Sequence, residues 1–481
     1  MLKFTASFLG LAVLSGCSLA PHYERPAAPV APSYPTAINH APVENGTPAA
    51  DLAWQAFFRD ARLQRLIQLA LENNRDLRVA ALNVERVRAF YNIQRTALIP
   101  RLDATADGNR QRTPGDLNVS GRPVTTSSYS VGAEIPSYEL DFFGRVASLR
   151  DEVLQQYLAT DEAQISAQIS LISAVARQYL ALLATDEQLE LAQQTLAAAE
   201  RSYALNQQTF EAGATSELDL RTSEAQQAAV QASLAALAQQ RARAENALVW
   251  LIGAPLPDDL PAPGSLATQA LIEDLPAGLP ADLLRRRPDI RAAEHTLQAA
   301  NANIGVARAA FFPSITLTAF GGTSSAELSG LFEKGSGRWS FSPSITLPIF
   351  AAGRNKAQLE VAWVEQRIEV ANYERAIQTA FREVADALAV RSLVNQQIAA
   401  QQSRVAAAQR RYDLTQQRFD AGVDSFLGVL LAQQELFAAQ QSLIDARLSR
   451  LGNLTTLYAA LGGGWQETAT PPAFSAGAAP R

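Results

Sequence analysis

The chain has 481 residues, 48% hydrophobic and 18% charged, which suffices for a large core or a long ordered assembly. A mean hydropathy of -0.04 argues against a bundle of membrane-spanning helices, and a net charge of -6 lacks the basic face a nucleic-acid partner demands. Cationic residues are nearly all Arg, with Lys only at positions 3, 334 and 356, a bias from which no function is drawn.

In chain order, Lys3 precedes the apolar run from Phe4 to Leu14, which is followed by Ser15, Gly16 and Cys17. This is the anatomy of a secretory signal, expected over residues 1–16. The run is too short for a bilayer, which takes about 20 residues. Leu14-Ser15-Gly16-Cys17 resembles the lipobox of bacterial lipoproteins, which implies acylation of Cys17, and Ser18 in place of Asp implies sorting to the outer membrane. Cys17 is the one cysteine, so no disulfide is expected and stability must come from packing and assembly. Residues 17–59, dense in Pro and Ala, read as an extended, weakly packed tether over a surface, with ordered helix only from about Asp60.

From there the chain says nearly everything twice. A first repeat is expected at 60–254, a mid-chain linker at 255–280, a second repeat at 281–464 and a tail at 465–481. Short helices at 76–99 and 289–312 end before Pro100 and Pro313, at an offset of 213. Gly144, Tyr203, Phe210, Gly213, Ser216 and Gly253 recur 209 residues later as Gly353, Tyr412, Phe419, Gly422, Ser425 and Gly462. The offset changes where strands are expected. Those are 101–107, 129–135, 314–320 and 339–347, the last alternating strictly between an apolar and a Ser/Thr face, with loops at about 108–126 and 321–338.

Residues 145–212 and 354–421 are each 68 residues without Gly or Pro, rich in strong helix formers. Each predicts a rod of roughly 100 Å. Apolar residues such as Leu182, Leu189, Leu196, Tyr203 and Phe210 recur every seven residues, so the rods should pack as coiled coils. Gly213 with Ser216, and Gly422 with Ser425, predict a left-handed cap followed by a new helix start, turning the chain back into helices at 216–252 and 425–461. The fold class expected is mainly α with a small β part. Four strands cannot close a membrane barrel, which starts at about eight. Three copies would give a 12-stranded β-barrel above a helical barrel of coiled-coil hairpins.

At this point the sequence resembles the TolC-like outer membrane factors, of the OprM/NodT lipoprotein type, over nearly the whole mature chain from Cys17 to about Gly464. The lipobox, "APHYERPAAPVAP", "LRRRPDIRAAEHTLQAANANIGVARAAFFPSITLTAFGG" and the two Gly-x-x-Ser turns carry the resemblance. It implies a homotrimer lipid-anchored in the outer membrane with a periplasmic tunnel, coupled through a periplasmic adaptor (membrane fusion) protein to an inner-membrane transporter, and no nucleic-acid partner. Small toxic compounds such as drugs are the implied cargo. The turns become periplasmic tips for adaptor docking and closure, through Gly213, Ser216, Gly422 and Ser425. Asp219 matches the Asp that the family places six residues after the turn glycine. The second repeat departs from that pattern, with Gly428 at six and Leu431 at nine, so Leu427 and Leu431 become candidates for an apolar gate and Asp424 a second acidic one. No catalytic, metal or cofactor motif is present: His22 and His40 lie in the tether, and His295, on a predicted helix, reads as a packing or surface residue. Two other readings stay open, a lipid-anchored coiled-coil stalk without a pore and a duct for type I protein secretion.

Overall fold

The computed structural model describes residues 18–35, 47–269, 271–272, 275–276 and 280–465. The expected signal peptide, Cys17 and the tail from 466 onward lie outside them. Helices are α1 (Trp54–Phe57), α2 (Ala61–Asn73), α3 (Arg75–Thr96), α4 (Arg145–Glu211), α5 (Glu217–Ile252), α6 (Pro280–Arg286), α7 (Pro288–Ala309), α8 (Arg354–Asp420) and α9 (Phe426–Ala460). Strands are β1 (Asp103–Thr113), β2 (Val124–Glu139), β3 (Ser314–Ser325) and β4 (Gly337–Thr346). The chain divides into two compact units, one drawn from Met1–Ala27, Asn83–Asp161 and Ala292–Glu374, the other from Ala28–Leu82, Glu162–Arg291 and Arg375–Arg481.

The first unit holds a four-stranded antiparallel sheet in the order β1-β2-β3-β4. Its central pair joins the repeats, with Tyr129 opposite Ser325 and Gly132 opposite Gly322. A Cβ on either glycine would run into the facing backbone, so the closeness of β2 and β3 requires both. The register shifts between Ile135 and Tyr138, around Pro136, whose missing N–H cannot serve the ladder. The strands outrun the expected ones: the loops shrink from 108–126 and 321–338 to 114–123 and 326–336. Residues 108–113 are polar and carry no alternation, yet they pair with 124–129, because backbone hydrogen bonding continues past the end of the apolar pattern. On β4, Trp339, Phe341 and Ile345 share one face and are exposed, and Ser342, Ser344 and Thr346 of the other face are exposed too.

Residues 18–25 correct the expected weak packing. They carry no helix or strand, but α7 grips them at three positions seven residues apart. Arg308 Nη1 donates to Leu19 O at 2.9 Å, Asn301 Nδ2 to Pro21 O at 2.8 Å, and Glu294 accepts Arg25 Nε and Nη2 at 2.7 and 2.9 Å and Tyr23 Oη at 3.1 Å. Six extended residues span about 20 Å. Fourteen helical residues span about 21 Å, so strap and helix stay in step. Gly305 makes room, since a Cβ there would lie 2.9 Å from the amide nitrogen of Ala20.

In the second unit the core begins before Asp60, a further correction. Trp54, Phe57 and Phe58 are buried, and Phe57 stacks on Tyr458 with ring centroids 4.1 Å apart. Tyr458 Oη donates to Leu52 O at 2.6 Å, which fixes this segment against α9. The 255–280 segment is also anchored: Leu266 is buried, its N–H donates to Glu187 Oε1 at 2.7 Å, and Gln269 Nε2 donates to Asp60 Oδ2 at 2.7 Å. Gly253 closes α5 at φ 76, and a Cβ there would lie 2.6 Å from Asn73 O. Its counterpart Gly462, φ 83, sits 2.7 Å by the same measure from Arg286 O. One 18-residue window within α4 is apolar enough to cross a membrane by length and composition, but 56% of it is buried. It supplies Ile172, Val175, Tyr179 and Leu183 to the core.

Candidate functional site: the paired helical tips

Both long helices end in the same hydrogen-bonded turn. Gly213 N–H donates to Phe210 O and Ala214 N–H to Thr209 O, each at 2.8 Å. In the second hairpin Gly422 N–H donates to Phe419 O at 2.8 Å and Val423 N–H to Arg418 O at 2.9 Å. This is the Schellman arrangement, and it demands the positive φ that the glycines supply, 71 at Gly213 and 69 at Gly422.

Beyond the shared backbone the tips diverge. In the first, Ser216 Oγ accepts the Asp219 N–H at 3.2 Å and donates to Asp219 Oδ2 at 2.6 Å, so Asp219 completes the cap and its charge lies over a helix N-terminus. In the second, Ser425 occupies the same N-cap position without a side-chain cap bond. With Gly428 in place of Asp219, no carboxylate is there to complete the cap.

The turn is braced instead from the other side. Arg418 Nε and Nη2 donate to the two Asp424 oxygens at 2.5 and 3.0 Å. That hydrogen bond, followed by the cation's charge, holds the Asp424 carboxyl below the ordinary carboxylate range. The equivalent residues of the first tip, 209 earlier, are Thr209 and Thr215, whose hydroxyls lie 3.2 Å apart. One hairpin is tied by an ion pair and the other by a neutral hydrogen bond.

The apolar residues sort by face. Phe426, Val429 and Leu430 are buried against Tyr412 and Phe419, with Phe419 and Phe426 ring centroids 5.3 Å apart. Leu427 and Leu431, one turn apart, stay half exposed at 50% and 48%. Leu218, the counterpart of Leu427, is 75% exposed. It is a tip residue that reading by motif passes over, though the 209-residue offset applied to Leu427 finds it. Leu431 corresponds to Thr222, whose hydroxyl donates to Leu218 O at 2.6 Å, so the second hairpin has the more apolar exposed face.

The seams differ too. Asn206 of the first hairpin is 1% exposed, and its side-chain amide has no hydrogen-bond partner among the described residues. Its counterpart Thr415 donates to the carbonyls of Arg411 and Tyr412 at 3.0 and 2.9 Å. Among the described residues no group of three His, Cys, Asp or Glu is arranged to hold a metal. His295 contacts Gln155 Oε1 at 2.7 Å through Nδ1, as a helix-packing residue does. The site offers no nucleophile paired with a base. It offers two similar turns bearing carboxylates and exposed leucines.

The family model described as "Outer membrane efflux protein" matches residues 66–254 and 279–463. The chain is 49% identical over 467 residues to the toluene efflux pump outer membrane protein TtgF of Pseudomonas putida, covering 95% of this chain and 96% of that one. A crystal structure of a membrane protein from Pseudomonas aeruginosa is 44% identical with a TM-score of 0.86, covering 93% of this chain and 100% of that one. The open state of the Neisseria gonorrhoeae MtrE outer membrane channel is 42% identical with a TM-score of 0.85, covering 94% and 99%.

Proposed function

The chain belongs to the outer membrane efflux protein family, and from that premise we propose that it works as the outer-membrane exit duct of a tripartite efflux pump, a conduit and not an enzyme. One observation carries the reading: a four-stranded sheet whose first and last strands, among the described residues, each keep an unpaired edge, joined to duplicated hairpins. A sheet edge is not tolerated in lipid, where backbone groups find no water. A homotrimer closes it, giving a 12-stranded barrel and a periplasmic wall of coiled-coil hairpins.

Acyl chains on Cys17 anchor each copy in the outer membrane. The tips at Gly213–Asp219 and Gly422–Leu431 dock a periplasmic adaptor and narrow the tunnel at rest, with Leu427 and Leu431 as an apolar constriction and Asp219 and Asp424 as fixed charges beside it. In a threefold assembly each of these side chains becomes a ring. Energy comes from the inner-membrane transporter, and the cargo is small toxic compounds, the class to which toluene in the name of TtgF belongs.

The test is accumulation. Cells lacking this protein should retain a fluorescent efflux substrate and become sensitive to toluene, and the intact chain should reverse both. An assembled oligomer in the outer membrane that changes neither would overturn the proposal.

A further inference from the structure

Register carries the faces of the sheet from strand to strand. Ala104 stands opposite Ala133, Ala133 opposite Gly321 and Gly321 opposite Trp339, while the adjacent row runs Asp103, Glu134, Phe320, Ser340. Side chains alternate between faces along a strand, so Ala104 and Ala106 of β1 share the apolar face of Trp339, Phe341 and Ile345. Gly108 lies on it too, and a Cβ there would come 3.3 Å from the ring of Tyr129, its partner on β2. The same parity then puts Arg110 and Arg112 on this face, both exposed. On the other face of β1, Thr105, Asp107, Asn109 and Gln111 are polar throughout.

Two guanidinium groups thus end an otherwise apolar face, and their depth accounts for them. A tilted membrane strand takes about 9–11 residues to cross. Counted from Leu102, 70% exposed and of the same parity, the ninth residue is Arg110 and the eleventh Arg112. Counted back from Leu347, just past β4, the ninth is Trp339, 81% exposed, an aromatic of the kind that stands at a membrane interface. The four strand ends that lead to helices lie together, opposite the loops at 114–123 and 326–336. With the helices periplasmic, the arginines stand at the headgroup level of the outer leaflet. A cation on a lipid-facing strand is costly at mid-depth and tolerated at the interface.

The positive charge belongs to one hairpin. Residues 109–128 carry Arg110, Arg112 and Arg122 against Asp116, whereas 322–338 carry Lys334 and Arg338 against Glu327 and Glu333. Among the described residues Arg110, Arg112 and Arg122 make no ion pair, while Arg101, before the other end of β1, pairs with Asp103 at 2.5 Å. Arg110 and Arg112 are spaced about 7 Å along the strand. Each offers a planar fork of donors matched to phosphate oxygens.

We propose that Arg110 and Arg112, with Arg122 in the adjoining loop, bind the phosphates of an outer-leaflet glycolipid, whose acyl chains lie along the apolar face below. This rests on the reading of the sheet as part of a closed barrel in the outer membrane, and it adds a lipid partner to that reading.

The probe is fluorescent lipid A carrying both phosphates, titrated onto the purified full-length oligomer in detergent and followed by anisotropy. Wild type should bind it saturably. Arg110→Gln with Arg112→Gln should weaken binding about thirtyfold, each arginine near the membrane surface contributing roughly fivefold. Arg110→Lys with Arg112→Lys, which keeps the charge and loses the fork, should fall between. Arg338→Gln, on the opposite face, should change nothing. Inorganic phosphate at the same concentration should not displace the lipid. Unchanged affinity in the glutamine pair, an equal loss in Arg338→Gln, or displacement by inorganic phosphate overturns the proposal. If the glutamine pair fails to assemble, raising the ionic strength from about 0.1 M to 1 M should release lipid A from wild type, and binding that persists overturns the proposal as well. A wild-type chain that forms no oligomer sinks the barrel reading and the site with it, whereas an intact oligomer indifferent to the arginines sinks the lipid site alone.

Discussion

Replacing Arg25 with Ala strips the one guanidinium that meets the Glu294 carboxylate within the strap. That carboxylate is 8% exposed, and it accepts two charge-assisted bonds from Arg25 at 2.7 and 2.9 Å. Breaking a fully buried pair costs about 3–5 kcal/mol. Arg25 is itself 49% exposed, so solvent already screens part of the interaction, and Tyr23 still donates to Glu294. A net loss of about 2 kcal/mol follows, which corresponds to roughly a thirtyfold rise in strap detachment. Hydrogen exchange of amides 19–25 in the purified assembly reads this locally, without asking a large oligomer to unfold in two states. Arg25→Ala should speed exchange there by about that factor and leave α9 unchanged. Arg25→Lys, a point charge in place of a fork, should fall between. Glu24→Ala, one residue away, should do nothing. Equal acceleration by Glu24→Ala and Arg25→Ala, or none by either, would refute the reasoning.

Asn206→Leu removes an amide that is buried without a partner and should stabilise the first hairpin by about 1–2 kcal/mol, seen as slower exchange of tip amides near 206–220; faster exchange would contradict it. Gly422→Ala meets no atom within 4 Å and should cost only the left-handed strain of about 1–2 kcal/mol, whereas Gly253→Ala adds a 2.6 Å approach to Asn73 O and should lower the melting temperature of the assembly further. Equal losses would show that the close approach is not the deciding factor. Because Arg418 depresses the folded-state pKa of Asp424, the bond is fully present above the ordinary value of 3.8 and is lost as pH falls through the lower folded value. Tip protection factors, which divide out the intrinsic pH dependence of amide exchange, should therefore be flat from pH 5 to 7 and fall only at more acid pH, and Asp424→Asn should lower them at neutral pH; a transition near pH 6 would assign the response to another group.

The rods were legible because 68 residues without Gly or Pro at heptad spacing leave little else to form: the expected 145–212 and 354–421 fold as Arg145–Glu211 and Arg354–Asp420. The short helices close about three residues before their expected ends. Residues 97–99 bond as a turn, and the residue before Pro100 is pressed out of the helical region. Both helix starts were legible, with Ser216 and Ser425 at the two N-caps, but only Ser216 makes a side-chain cap bond, because Asp219 stands three positions on, where the other turn has Gly428. Least legible were the strap and the Trp54–Phe58 core. Their partners, Glu294 and Tyr458, lie hundreds of residues away, and a Pro/Ala-rich segment has no period that would announce them.

Single-channel conductance of the purified oligomer in a planar bilayer tests the central claim most directly, comparing wild type with the Leu427→Ser, Leu431→Ser double variant. A gated duct should show low resting conductance that rises sharply in the variant. Intact oligomers that conduct nothing in either form would contradict the duct, and equal, substantial conductance in both would contradict a gate built from these leucines.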